Sequence, residues 1–256
     1  MKIAYTINGL IGGLSGKNCQ LRDQDIAPLI INYTSNTVKN FIEKHNDVDF
    51  YIFSWQPELK EYFNSIYRPK QSVYINQLEF KIPSCIPNDE RTQAHYSRWY
   101  GVKRLSEMIY NSAIPYDLVI NCRMDTCWNR DIHFTDFDTN KIHVAYHPTM
   151  LNFLPFNKNA VDICDHIFIS NTENFHKFAS LFDNLDDYVH PSKHKCSYSH
   201  ISNHFLVPQH LRSLNLIDRL EGSIVNDLEA GKGTGDYDIF RYKQLTKHQL
   251  LENYEL

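Results

Sequence analysis

The chain contains no run of about 18 apolar residues, the minimum for a membrane-spanning helix, so none is expected. Its first sixteen residues hold one lysine and then read as a short strand and a glycine-rich loop. They lack the sustained apolar core of a signal peptide, so a cytoplasmic location is expected. There is no basic excess: 26 Lys and Arg stand against 30 Asp and Glu, a net charge of −4. That argues against a dedicated nucleic-acid binder but leaves room for a local basic site for a small anionic ligand. No C-x-x-C pair occurs among Cys19, Cys85, Cys122, Cys127, Cys164 and Cys196, so these read as buried, reduced thiols. Cys122 and Cys127 have no second pair to complete a zinc site. No long repeat is visible, which excludes solenoids and propellers.

Several catalytic signatures are also missing. Without a G-x-S-x-G elbow an α/β-hydrolase is disfavoured. His200 and His204 share a helix face by their spacing, but without the glutamate of H-E-x-x-H they do not make a zinc protease. The loop from Gly9 to Lys17 is neither G-x-x-x-x-G-K-[ST], because Asn18 follows Lys17, nor G-x-G-x-x-G. A nucleotide kinase and a Rossmann dehydrogenase are therefore disfavoured.

What is present is an ordinary globular composition, 42% hydrophobic and 22% charged, with 16 Tyr and 15 Phe to fill a core or stack on sugars and bases. Apolar runs at 2–8, 49–55, 72–75, 117–121, 142–146 and 166–169 read as strands. Helical patterns lie between them at 28–45, from Pro57, over 91–111, from Ser170 with Glu173 at capping-box spacing, and from about Ser199 to Pro208. In the 91–111 helix, Trp99, Val102, Leu105, Met108 and Ile109 form the apolar stripe. This alternation predicts an α/β fold, a mostly parallel sheet flanked by helices in one domain over 1–256. Residues 222–238 read as a loop near the C-terminus.

Ligands of such sheets sit at the carboxyl ends of the strands. Two polar clusters fall there: the glycine-rich loop after the first strand, and Arg123-Met124-Asp125-Thr126 after DLVIN. A carboxylate at a strand tip suits a hard divalent cation with phosphate oxygens, and Arg123 suits a charge-assisted contact to the same phosphates. A salt-bridged turn is the alternative reading. Arg98, Lys103 and Arg104 lie on the helix beside Trp99, facing either an anionic ligand or solvent. Asp162 and Asp165 precede HIFI, where a rim carboxylate suits a general base or simply a loop acid.

The stretches KIAYTINGLIGG, DFYIFSW, SRWYGVKRLSEMI directly before YDLVINCRMD, and DICDHIFISNTENFHKF occur in this order over roughly residues 1–210. Together they resemble the small GT-A-type (Rossmann-like) nucleotide-sugar glycosyltransferases of large DNA viruses, phages and bacterial surface-polysaccharide loci. The resemblance implies a nucleotide-binding half (1–125), an acceptor half (126–215) and a helical C-terminal extension (216–256). It implies transfer of a sugar from a nucleoside diphosphate donor to a glycan or other hydroxyl acceptor, with Mn²⁺ or Mg²⁺ as cofactor. The family motif at the strand end is Asp-x-Asp. Arg123 stands first here, so Asp125 alone carries over as a metal ligand, and Arg123 partly replaces the cation. By the same resemblance Thr6, Asn8, Gly9 and Arg22, with Arg98 or Lys103, contact the nucleotide. The segment around Asp165 faces the sugar or acceptor, with Asp165 as the base if the enzyme inverts rather than retains, and His200 is the late metal ligand. A non-catalytic nucleotide-sugar or glycan-binding module and a nucleotidyltransferase are the alternative functions.

Overall fold

A computed structural model describes residues 1–11, 26–146, 163–190, 202–225 and 235–239. The six apolar runs become β1 (Lys2–Gly9), β2 (Asp47–Ser54), β3 (Gln71–Tyr74), β4 (Leu118–Arg123), β6 (Ile142–Tyr146) and β7 (Ile163–Ser170), and three strands that were not expected are β5 (Thr126–Trp128), β8 (Leu220–Val225) and β9 (Tyr237–Ile239). The helices are α1 (Ile26–Phe41), α2 (Lys60–Tyr67), α3 (Glu90–Ser112), α4 (Thr172–Ala179), α5 (Leu185–Val189) and α6 (Asn203–Ser213).

Seven strands join one sheet in the order β3-β2-β1-β4-β7-β6-β8, and β5 pairs β9 separately. The β1–β2, β1–β4, β2–β3 and β6–β8 pairs are parallel, as expected. The strand read as HIFI is longer than expected and runs against both β4 and β6, so the sheet is mixed. Helices cover both faces. One core gathers Tyr5, Ile7, Ile52, Ile120 and Trp128 with Ile30, Ile31 and Val38 of α1 and Phe63 of α2. The other gathers Ala4, Tyr51, Val119 and Phe168 with the expected α3 stripe, then Phe175, Phe178 and Leu206 of α4 and α6. Successive side chains of a strand point to opposite faces, so β1, with helices on both sides, is buried along most of its length.

Local signals set several ends. The Asp89 side chain caps α3 by accepting from the Thr92 N–H at 2.8 Å. Pro57 opens the short 3-10 turn before α2. The cap of α4 is Asn171, which accepts from the Asn174 N–H, rather than Ser170, whose hydroxyl instead donates to the Lys141 carbonyl. Pro208 lies inside α6, not at its end. The stretch expected as a loop begins and ends in strands, β8 and β9, and the described part of the expected helical extension is mainly strand. Those short segments lack a periodic pattern of their own, and their pairing with β6 and β5 decides them. Cys122 and Cys127 are buried, but Cys85 is exposed, against expectation.

The strand order also fixes where a ligand can enter. The chain steps outward from β1 to β2 to β3 with α1 and α2 on one face, then returns through α3 on the other face to β4, beside β1. The carboxyl ends of β1 and β4 therefore form the topological switch point, where such sheets leave a crevice.

Candidate functional site

The end of β1 carries Thr6, Asn8 and Gly9. Thr6 is fully buried and donates to Asn121 of β4 at 3.0 Å, so it forms the floor beneath the strand ends. Asn8 stands opposite Arg123 in the β1–β4 register, and its Nδ2 donates to the Arg98 carbonyl of α3 at 2.9 Å. That contact needs Gly101: a Cβ there would lie 2.1 Å from Asn8 Oδ1 and 2.8 Å from Phe53. Gly9 takes φ +122°, a conformation side chains disfavour, and turns the chain away from β1. Beyond it, the Gln56 side chain accepts from the Ile11 N–H at 2.6 Å and donates to the Ile11 carbonyl at 3.1 Å, pinning the loop's departure to the end of β2.

At the end of β4 the chain turns at Met124-Asp125 into β5. Arg123 grips Asp125 with two parallel bonds, Nε to Oδ1 at 2.8 Å and Nη2 to Oδ2 at 2.6 Å. The Asp125 carboxylate is almost entirely buried, whereas Arg123 keeps 30% of its side chain exposed. The salt-bridged turn, one of the two readings of this cluster, is the arrangement found.

Asp165 lies inside β7 rather than before it. The β6–β7 register passes from Val144↔Phe168 to Ala145↔Cys164, so Asp165, His166 and Ile167 have no counterparts on β6. Such a bulge bends a strand and re-aims its side chains. Here Asp165 turns to α3 and α6: its Oδ2 is 3.4 Å from Arg98 Nε and accepts from Asn203 Nδ2 at 2.5 Å. His166 turns the other way, with Nδ1 3.1 Å from the Tyr237 hydroxyl and Nε2 3.7 Å from Asp165 Oδ1. Asn203 is itself held, its Oδ1 accepting from Trp99 Nε1 at 3.0 Å and lying 2.9 Å from His95 Nδ1. Arg98 Nε is buried and, though near Asp165, makes no hydrogen bond.

The electrostatics follow from this packing. Burial works against every charge here, and partners decide the outcome. For Asp165 and Asp125, burial is the largest single influence and would raise the carboxyl pKa, but their partners together (Arg98 foremost with His166, Arg123 and Asn203 for Asp165, and Arg123 foremost for Asp125) hold both below the usual range. Burial likewise opposes the Arg123 charge, and Asp125 more than offsets it. His166 has no such compensation: burial dominates the pull of Asp165 and takes it down to about 3, so the ring is neutral at pH 7.

The strand ends thus bring Asn8, Arg98, Arg123, Asp125 and Asp165 together. Lys103 is not among them; its ammonium pairs with Asp183 and lies over the Phe182 ring. Arg22, His200, Asp162 and Gly12 to Gly16 lie outside the described residues. The described residues do not suit a divalent cation. Both Asp125 oxygens accept from Arg123, both Asp165 oxygens face Arg98, Asn203 or His166, and no three His, Cys, Asp or Glu side chains gather as a ligand set among the described residues. Sequence reasoning missed His166, Asn203 and Tyr237. His166 adjoins Asp165 and was readable as part of the same polar tip, but no local pattern marks Asn203 or Tyr237, which arrive from distant chain.

No protein-family model matches the chain, and no curated protein does. Among solved structures, a crystal structure of an active-site mutant of LgtC is similar, at 13% identity over 88% of this chain and 73% of that one, with a TM-score of 0.48. No helix among the described residues is long and apolar enough to cross a membrane.

Proposed function

We propose that the chain is a glycosyltransferase of the GT-A type that binds a nucleoside diphosphate sugar at the carboxyl ends of β1 and β4 and moves the sugar to a hydroxyl acceptor. The observation that carries this reading is the convergence of two guanidinium groups, Arg98 and Arg123, at the switch point of the sheet. Planar forks of N–H donors match phosphate oxygens, and held in place they stabilise charge as it builds on a departing diphosphate. Asn8 and Gly9, at the β1 edge of the crevice, suit close approach of the nucleotide. In the transfer, the bond from the anomeric carbon to the diphosphate oxygen breaks and one to the acceptor oxygen forms. The acceptor's proton leaves with the diphosphate or to solvent.

Asp165 has a different weight in this reading than as a base. A carboxylate held well below its ordinary pKa is a poor proton acceptor near neutral pH. Its better-supported role is to neutralise Arg98, 3.4 Å away.

The test is to incubate the full chain with a panel of nucleotide sugars and acceptor glycans and to assay the free nucleoside diphosphate released. Release from one donor, lost in Arg98→Gln, is the expected outcome. Binding without release from any donor favours the second reading, a non-catalytic nucleotide-sugar-binding module, which the fully engaged oxygens of Asp125 and Asp165 support. Release of pyrophosphate instead would indicate a nucleotidyltransferase.

A further inference from the structure

Arg123 carries five N–H donors and uses two of them on Asp125, through Nε and Nη2. The rest of its fork lies on a side chain that is 30% exposed, while Asp125 beside it is nearly dry. Arg98 is set deeper, 17% exposed: Asp165 neutralises it at 3.4 Å, and its buried Nε makes no hydrogen bond. Both guanidiniums act on the same Asp165 carboxylate, so they share one local field. Arg123 already takes one lone pair on each Asp125 oxygen, so a divalent cation at about 2 Å would have to use the remaining, nearly buried lone pairs. Seating it there sets two positive charges side by side where water screens them little.

We infer that the site takes the diphosphate of its ligand on Arg123 and Arg98 without a divalent cation, and that Asp125 is a positioning residue that aims the Arg123 fork. This rests on the nucleotide-sugar reading of the preceding subsection. Asp125 and Asp165 cancel the formal charges of the two arginines, so directed donors supply the recognition and the salt dependence of binding is shallow.

Calorimetric titration of the full chain with UDP, GDP, CDP, ADP and dTDP, each in EDTA and in excess Mn²⁺, tests the inference. One diphosphate is expected to bind with the same affinity in both conditions. Removing the fork with Arg123→Lys, which keeps the charge, is expected to weaken that binding about tenfold or more. The double variant Arg123→Gln/Asp125→Asn removes the pair together, so it leaves no buried unpaired carboxylate and remains informative if the single variant fails to fold. Asp125→Asn is expected to weaken binding less than Arg123→Lys and to leave the urea-unfolding midpoint close to that of the double variant, whereas general loosening of the fold would weaken binding in step with that midpoint. Binding that requires Mn²⁺, or is about tenfold tighter with it, overturns the inference and leaves the nucleotide-sugar reading standing. Binding in EDTA that survives the double variant also overturns it, by placing the phosphates elsewhere. If none of the five diphosphates binds in either condition, the nucleotide-sugar reading itself falls.

Discussion

Gly101 illustrates how one residue's environment reverses an ordinary preference. In an exposed helix interior, replacing glycine by alanine gains about 1 kcal/mol. At this position the new methyl would meet Asn8 and the Phe53 ring inside the packed α3–β1 seam. Gly101→Ala is therefore expected to destabilise by about 1–3 kcal/mol, the usual penalty of overpacking, and to disturb Asn8. Urea unfolding of the variant measures this, and a gain in stability would refute it. The Arg123–Asp125 pair gives a second test at this scale. Arg123→Ala leaves a nearly dry carboxylate unpaired and is expected to cost about 3 kcal/mol, while the pair replaced together by Gln and Asn is expected to recover most of it. Equal losses in the single and double variants would show that the pair is not coupled. The sequence displays Arg123 and Asp125 two apart on a strand tip, which makes both a salt-bridged turn and a metal site plausible. Only side-chain geometry separates the two.

At the scale of elements, the helices were largely legible and β7 was not. The α3 pattern is long, its stripe is periodic, and its start is written locally in the Asp89 cap. Asp89→Ala is expected to lower stability by about 1 kcal/mol without moving the strand-end side chains, which thermal unfolding and a nucleotide-binding assay would check together. A lost site with unchanged stability would contradict it. Strand β7, by contrast, carries no sequence mark of direction. Parallel and antiparallel neighbours both accept an apolar run, and β7 takes its direction from pairing with β4 and β6. Its bulge is equally silent in the sequence, because the missing partners of Asp165–Ile167 belong to β6. Yet that bulge turns Asp165 toward α3 and His166 toward β9, so an element without a local signature shapes the site.

For the molecule as a whole, the buried histidines predict how stability depends on pH. His166 is taken down to about 3 when folded, and burial also lowers His95 and His210, against about 6.5 in an unfolded chain. Between these values the unfolded chain binds more protons than the folded one, so stability falls as pH drops from about 6.5 toward 3 and is level above that window. Asp165 and Asp125, held low when folded, extend the loss below the ordinary carboxylate range. Urea midpoints from pH 8 to 4 should trace this fall, and His166→Gln should flatten part of it. A midpoint constant from pH 7 to 4.5 would refute the assignment. The sequence by itself determined the alternation of strands and helices, the apolar stripe of α3 and the polar tips at the ends of β1 and β4, since each is a periodic or nearest-neighbour property of the chain. Tertiary structure alone decided that β7 runs backwards, that Asn203 and Tyr237 close on Asp165 and His166, and that Asp125 holds a guanidinium. Those outcomes depend on distances between residues far apart in sequence, and in a nearly dry site such distances determine which charge meets which partner.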